Sequence, residues 1–298
     1  MQDMGVQDRR RSLSTRTGAA AVTALLLLLV ATAFVAGPLV ATARAAGAPE
    51  PAPAPGQAFA GEAPSPPAAE AAAGEHVVAD TTGYPARAVG TLSFVQGGEP
   101  GRCTAFLIDR NSVVTAAHCV HDGTGDTPGA WSTDLVFDPG RDGTDTPYRT
   151  CHGLAAEAPA LWRVDGAETS DYAVVQLDCS VGRRVGWFGL WLSPRGDDLA
   201  VSRVKLRGYP GALAGAQWRD DGNVTLTTER LTFHNARTRG DSDGGPLYVT
   251  KRACGGPCAV AVQAAEPHGR GVHRRYPHGP RFSGHRWSQI LGWATENG

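Results

Sequence analysis

The sequence predicts an all-β domain closed by one amphipathic helix and delivered outside the cytoplasm. Three observations predict it. Apolar residues come in short alternating runs separated by Gly, Pro, Asp and Asn clusters. No helix-length period appears before the last dozen residues. Six cysteines, an even number, follow an N-terminal segment with the layout of an export signal.

In chain order, Arg9, Arg10, Arg11 and Arg16 precede an apolar stretch from Gly18 to Val40, and Ala43-Arg44-Ala45 offers a small-residue cleavage site. Residues 1–45 are therefore read as a signal peptide, or as a signal anchor if the stretch is retained, because about 20 apolar residues can span a bilayer. Residues 46–75 are rich in Pro and Ala and nearly free of large apolar side chains. Such a segment buries too little surface to offset its ordering entropy, and reads as a linker or pro-segment. Patterned sequence fills residues 76–298, a length that suits one all-β domain.

Within it the strand-like runs are Val89–Val95, Thr104–Ile108, Ser112–Ala117, Tyr172–Leu177, Val201–Tyr209, Asn223–Thr228, Pro246–Thr250 and Ala259–Ala264. Many strands with almost no helix mean a sandwich or a barrel, between which periodicity does not choose. At the end Trp287, Ile290, Leu291 and Ala294 fall at i, i+3, i+4 and i+7, which predicts the closing helix. The net charge of −1 gives no global field for nucleic acid or an anionic membrane. A membrane enters only if the N-terminal segment is kept. The cysteines, at 103, 119, 151, 179, 254 and 258, predict three disulfides from 15 formal pairings.

Three short motifs carry chemistry. Thr115-Ala116-Ala117-His118-Cys119 ends an apolar run, Ser170-Asp171-Tyr172 opens another, and Gly240-Asp241-Ser242 lies in a Gly-rich turn before a third. The order His, Asp, Ser is one chain order of a hydrolytic triad. A serine hydroxyl needs an imidazole to take its proton, and the imidazole needs a carboxylate to fix its tautomer and stabilise the imidazolium.

With these motifs the chain resembles the trypsin-like serine proteases, most closely their bacterial glutamyl endopeptidase branch. Tyr84-Pro85-Ala86-Arg87-Ala88-Val89-Gly90, Gly186-Trp187-Phe188-Gly189, Gly208-Tyr209-Pro210-Gly211 and Gln217-Trp218 are similar to further motifs of that branch. The resemblance implies two antiparallel six-stranded β-barrels with the site between them. It implies His118 as general base, Asp171 as its orienter and Ser242 as nucleophile, with the N–H groups of Gly240 and Ser242 as oxyanion hole. It also implies a Cys103–Cys119 disulfide, with Cys151–Cys179 and Cys254–Cys258 for the remaining four.

One position departs from the family. Where its members read Gly-x-Ser-Gly-Gly-Pro, this chain reads Gly240-Asp241-Ser242-Asp243-Gly244-Gly245-Pro246, one residue longer. Counted from the left, Ser242 is the nucleophile. Counted from Gly244-Gly245-Pro246, the nucleophile position holds Asp243. The left count is preferred, because Thr238 and Gly240 then fall on family positions.

Ala236 stands where trypsin carries its basic-selecting Asp. Gln263 replaces the His of glutamyl endopeptidases, and Ala264 follows it, so Ala236, Gln263 and Ala264 are assigned to the specificity pocket. The stretch His268–Arg286, with four His and five Arg, is read as a solvated loop. No metal site is assigned, because neither helical His spacing nor accompanying carboxylates appear. The expectation is a secreted, monomeric serine endopeptidase that acts on protein or peptide substrate through an acyl-enzyme, with no cofactor. The alternative is a protease-like binding module impaired by Asp243.

Overall fold

The computed structural model describes residues 76–192, 199–240 and 242–295. The signal and linker segments lie outside the described residues. Among the described residues no helix is long and apolar enough to cross a membrane.

Six strands close the first barrel: β1 Val89–Gln96, β2 Glu99–Leu107, β3 Ser112–Thr115, β4 Thr133–Pro139, β5 Cys151–Glu157 and β6 Ala173–Leu177, in the order β1-β2-β3-β6-β5-β4 with β4 returning to β1. The β1–β2 hairpin turns on Gly97-Gly98, both at positive φ, between the paired Gln96 and Glu99. A two-residue turn of that kind matches the twist of its strands and strongly favours glycine. Every residue of β3 and β6 is buried, the polar Ser112, Thr115 and Gln176 included. Leu92, Ala105, Leu107, Val113, Phe137, Val175 and Leu177 fill the interior, and the Cys103–Cys119 and Cys151–Cys179 disulfides brace it.

The second half is a curled seven-stranded sheet, β13-β10-β9-β8-β11-β12-β7. Its strands are β7 Gly189–Leu190, β8 Arg203–Gly208, β9 Trp218–Thr227, β10 Leu231–His234, β11 Pro246–Lys251, β12 Gly256–Val262 and β13 His278–Pro280. Isolated bridges at Ala261–Arg281 and Ala265–His278 draw the chain around β12 and β13 together. Strands β8–β13 thus curl back on themselves, and β7 adds a parallel edge to β12. The expected second six-stranded barrel is present as this half-barrel, closed by bridges rather than by a full ladder. Its core holds Leu199, Val204, Leu206, Val224, Leu247 and Val260, and the third disulfide is Cys254–Cys258.

A third apolar cluster fills the seam between the halves. It joins Val89, Phe106 and Val114 of the first to Tyr209, Tyr248, Val262 and Phe282 of the second, with Ile290 and Ala294 of the C-terminal helix, Gly284–Thr295. That helix straps the second half to the first. Tyr172 Oη–H donates to Gln289 Oε1 at 2.6 Å and Gln176 Nε2–H donates to the Trp293 carbonyl at 2.6 Å. The expected face is right at Ile290 and Ala294, which are buried, whereas Trp287 and Leu291 lie at its half-buried margin.

Five strands had no clear signal in the sequence. β4 carries Asp134, Asp138 and Pro139, β5 has no β-branched residue, and β7, β10 and β13 have four residues or fewer. Their partners impose strand geometry on weak local preference.

Ile290 is fully enclosed at the seam, so Ile290→Ala is expected to cost about 2–5 kcal/mol. Leu291→Ala is expected to cost distinctly less. Urea unfolding midpoints of the two variants check the assignment.

Candidate active site

Antiparallel pairing of β3 with β6, Thr115 opposite Ala173, brings two loop starts to one end of the first barrel. A 3-10 turn, Ala117–Cys119, leaves β3 and presents His118, held from beneath by Cys119 in its disulfide to β2. A second 3-10 turn, Glu168–Ser170, leads to Asp171 just before β6. The buried Asp171 carboxylate grips His118 twice. Backbone N–H of His118 donates to Oδ1 at 2.9 Å and ring Nδ1–H donates to Oδ2 at 2.8 Å. This fixes the tautomer and aims Nε2 across the seam.

What faces Nε2 is Asp243. Its Oδ2 lies 3.8 Å away. Ser242 is fully buried, its Oγ without a hydrogen-bond partner. Its backbone N–H donates to the Arg239 carbonyl at 3.2 Å and its carbonyl accepts from Gly245 N–H at 3.2 Å.

The two glycines that follow decide this register. Gly244 has φ +88°, and a Cβ there would overlap the Thr104 carbonyl and Thr115 Oγ1. A Cβ on Gly245 would overlap the Arg207 carbonyl. Gly244 N–H donates to the Gln263 carbonyl at 2.7 Å, and Gln263 N–H returns a bond to the Gly245 carbonyl at 2.8 Å. Sliding the chain by one residue to bring Ser242 before His118 would drive the Asp243 side chain into the space that only glycine fits. Close packing therefore favours the count from Gly244-Gly245-Pro246 over the count from the left.

The structure brings His118 and Asp171 together, whereas the hydroxyl of Ser242, the expected nucleophile, makes no hydrogen bond to either. Of the two expected oxyanion-hole donors, the Ser242 N–H is bonded to the Arg239 carbonyl and Gly240 is exposed.

The three residues assigned to the specificity pocket are buried. Ala236 packs in the core of the second half, and Ala264 packs against the core of the first. Gln263 is buried with both ends of its amide occupied: Oε1 accepts from His234 Nε2–H at 2.8 Å and Nε2–H donates to the Ala265 carbonyl at 3.0 Å. None of the three lines the groove of about 520 Å³ beside the site, which is bounded by Phe94, Gln96, Arg102, His118, Gly211 and Asp243.

Burial draws the His118 pKa down. The charge and hydrogen bond of Asp171, then the charge of Asp243, outweigh it and raise the pKa to about 9. Asp243 is raised to about 6, chiefly by burial; the His118 charge opposes this, and the charges of Asp171 and Glu266 add to it. Between these values the imidazole is cationic and flanked by two carboxylates. A protonated imidazole cannot take a proton from a nucleophile. Burial also drives His234 down to about 4.

The sequence offered Asp243 at the nucleophile position through the glycine pair, although the count that places Ser242 there was preferred. What it missed lies in the stretch read as a solvated loop. His268, His273 and His278 all close on Glu168, a carboxylate 100 residues or more upstream that no spacing rule connects to them.

The family model for the trypsin-like peptidase domain matches residues 103–254, half of the chain, and the chain belongs to that family. It is 30% identical over 220 residues to the glutamyl endopeptidase of Bacillus licheniformis, covering 72% of this chain and 66% of that protein. It is 28% identical over 223 residues to a protein of Bacillus subtilis named extracellular metalloprotease, covering 74% of this chain and 67% of that one. The chain thus spans about two thirds of the length of these curated relatives. Among solved structures it is similar in fold to a Glu endopeptidase in complex with MPD, with TM-score 0.61 and 22% identity over 73% of this chain and 94% of that one. The protease Anisep from Arthrobacter nicotinovorans matches with TM-score 0.61 and 20% identity over 74% of this chain and 99% of that one.

The His118 ring is expected to titrate near pH 9 by NMR, and Asp243→Asn is expected to lower that midpoint by removing one of the charges that raise it. The folded pKa lies above the ordinary value of 6.5. The pair's contribution to stability is therefore complete below about pH 6.5 and lost as pH rises through about 9. Denaturant unfolding across that window is expected to show a smaller loss in Asp243→Asn.

Proposed function

We propose that this chain is an exported protease-type hydrolase that holds a protein or peptide segment in the groove beside His118, and that Asp243 arrests its serine-dependent turnover. The observation that carries this is the Asp243 carboxylate facing His118 Nε2 at 3.8 Å while Ser242 Oγ is buried without a hydrogen-bond partner. His118 and Asp171 keep the relation that a general base and its orienter need. Asp243 opposes catalysis in two ways: it places negative charge where an oxyanion would develop, and it adds to the larger effect of Asp171 in keeping the imidazole protonated. Without a working nucleophile, what remains is on the order of 10³–10⁴ over water.

Export draws on the N-terminal charge and hydropathy pattern, and on the printed name of the Bacillus subtilis relative. The preference of the Bacillus licheniformis relative for glutamyl sites is not carried over, because the Gln263 amide is already fully engaged.

A second reading keeps Ser242 as nucleophile, with an acyl-enzyme and with Gly240 and Ser242 as the hole, in a rearranged loop. It is favoured by the unpartnered Ser242 hydroxyl, since a buried polar group without a partner costs about 1–3 kcal/mol.

A fluorophosphonate probe separates the two. Folded wild type is expected to stay unlabelled. Deletion of Asp243 leaves Gly240-Asp241-Ser242-Gly244-Gly245-Pro246, sets Ser242 directly before the glycine pair, and is expected to raise labelling and peptide hydrolysis by about 100-fold or more. Stoichiometric labelling of wild type at Ser242 would instead establish the second reading.

A further inference from the structure

Away from His118, four side chains converge on one point. Glu168 opens the 3-10 turn that leads to Asp171. His278 lies on β13, and His268 and His273 lie on the loop before it, which is closed by His268 N–H donating to the His273 carbonyl at 2.8 Å. His268 Nε2 and His278 Nε2 lie 2.9 and 2.8 Å from Glu168 Oε1. His273 Nδ1 lies 3.5 Å from Glu168 Oε2 and 3.2 Å from His278 Nε2. One ligand atom from each residue falls within 4.8 Å of all the others. Four donors at 2.0–2.1 Å from a tetrahedral Zn²⁺ stand about 3.3 Å apart, and the contacts here run from 2.8 to 3.5 Å inside a 4.8 Å envelope.

The far sides of the rings support the same use. His268 Nδ1 lies 2.8 Å from the Glu266 carbonyl and His278 Nδ1 lies 3.2 Å from the Tyr276 carbonyl. A carbonyl only accepts, so each Nδ1 carries a proton and each Nε2 is the atom turned inward. Backbone carbonyls orient metal-ligating histidines in this way. A cation at the centre satisfies all four donors at once. Phe233 packs against the rings of His273 and His278, with centroids 5.0 and 4.7 Å away, and limits solvent on one side.

We infer that Glu168, His268, His273 and His278 form a structural binding site for a divalent transition cation, Zn²⁺ foremost. Three imidazoles and one carboxylate suit Zn²⁺ and not Ca²⁺ or Mg²⁺, which take oxygen ligands. Four protein ligands complete a tetrahedron, the mark of a structural rather than a catalytic site. The clasp joins the segment that presents Asp171, in the first barrel, to β13 and its loop in the second half, across 110 residues of sequence. It fastens the seam beside the His118–Asp171 pair, and it stands whether or not the chain turns over substrate.

The test uses the full chain, stripped by chelator and titrated calorimetrically with ZnCl₂ and, separately, CaCl₂. One Zn²⁺ per chain is expected, with a rise in Tm of a few degrees and no Ca²⁺ effect. His268 and His273 are 53% and 34% exposed, so His268→Ala/His273→Ala is expected to fold and to bind at least about 100-fold more weakly, beyond what loss of a supporting partner costs. Glu168→Gln is a second, independent variant expected to lose the site. His118→Ala is expected to retain it, which separates this cluster from the His118–Asp171–Asp243 group. Co²⁺ loading is expected to give the visible absorption of four-coordinate cobalt in wild type and His118→Ala but not in the two site variants. Absence of stoichiometric Zn²⁺ binding by the folded wild type, equal binding by both Glu168→Gln and the double variant, or loss of binding in His118→Ala overturns the inference.

Discussion

Thr104, buried in β2, is where the two halves of this protein are held in register. Its N–H donates to the Asp243 carbonyl at 2.8 Å, its carbonyl accepts from Thr115 Oγ1–H at 2.8 Å, and its Oγ1 accepts from Tyr209 N–H at 2.8 Å. One residue thus bonds to the strand that carries His118, to the loop that faces it, and to the end of β8. Each bond contributes about 1 kcal/mol net, yet leaving any of these buried groups unpaired would cost more than the bond contributes. Gly244 fits beneath the same carbonyl with no room for a side chain. The chemistry of the site follows from that fit, because the residue one step before Gly244 is the one that meets His118.

A buried polar network extends the constraint along the seam. Arg207 donates to Tyr248 Oη at 3.0 Å and to Gln217 Oε1 at 2.9 Å, Gln217 Nε2–H donates to Tyr209 Oη at 2.8 Å, and Tyr209 Oη–H reaches the carbonyls of Arg141 and Val89. Networks of this kind are stable when every member is satisfied, and they then specify one arrangement. Here they set the halves closely enough for a carboxylate and an imidazole on opposite sides to shift each other's pKa. The Zn²⁺ clasp inferred at Glu168 would brace a second point along the same seam.

Local pattern carried the parts of the fold that local forces build. Eight runs with alternating or continuous apolar residues all became strands, and Ile290 and Ala294 marked the helix face. The five strands without a clear signal are those whose residues adopt extended geometry only because neighbours on both sides demand it. At the site, His118 and Asp171 were legible because their motifs fall in the chain order of a hydrolytic triad and resemble those of a known family. Ala236, Gln263 and Ala264 are buried, and for small and amide side chains burial in a core and the lining of a pocket look alike in sequence.

The sequence by itself determined an all-β chain behind an export-like segment, six cysteines whose three pairings the structure forms, and a His–Asp pair at adjoining strand ends. These follow from periodicity, composition and short spacings, which are local properties. Which acid or hydroxyl meets His118 was decided only in three dimensions. Ser242 and Asp243 are adjacent, and the choice between them depends on backbone from β2, β3 and β8 pressing on Gly244 and Gly245. The convergence of His268, His273 and His278 on Glu168 was likewise invisible, because loop closure across 100 residues or more leaves no trace in spacing.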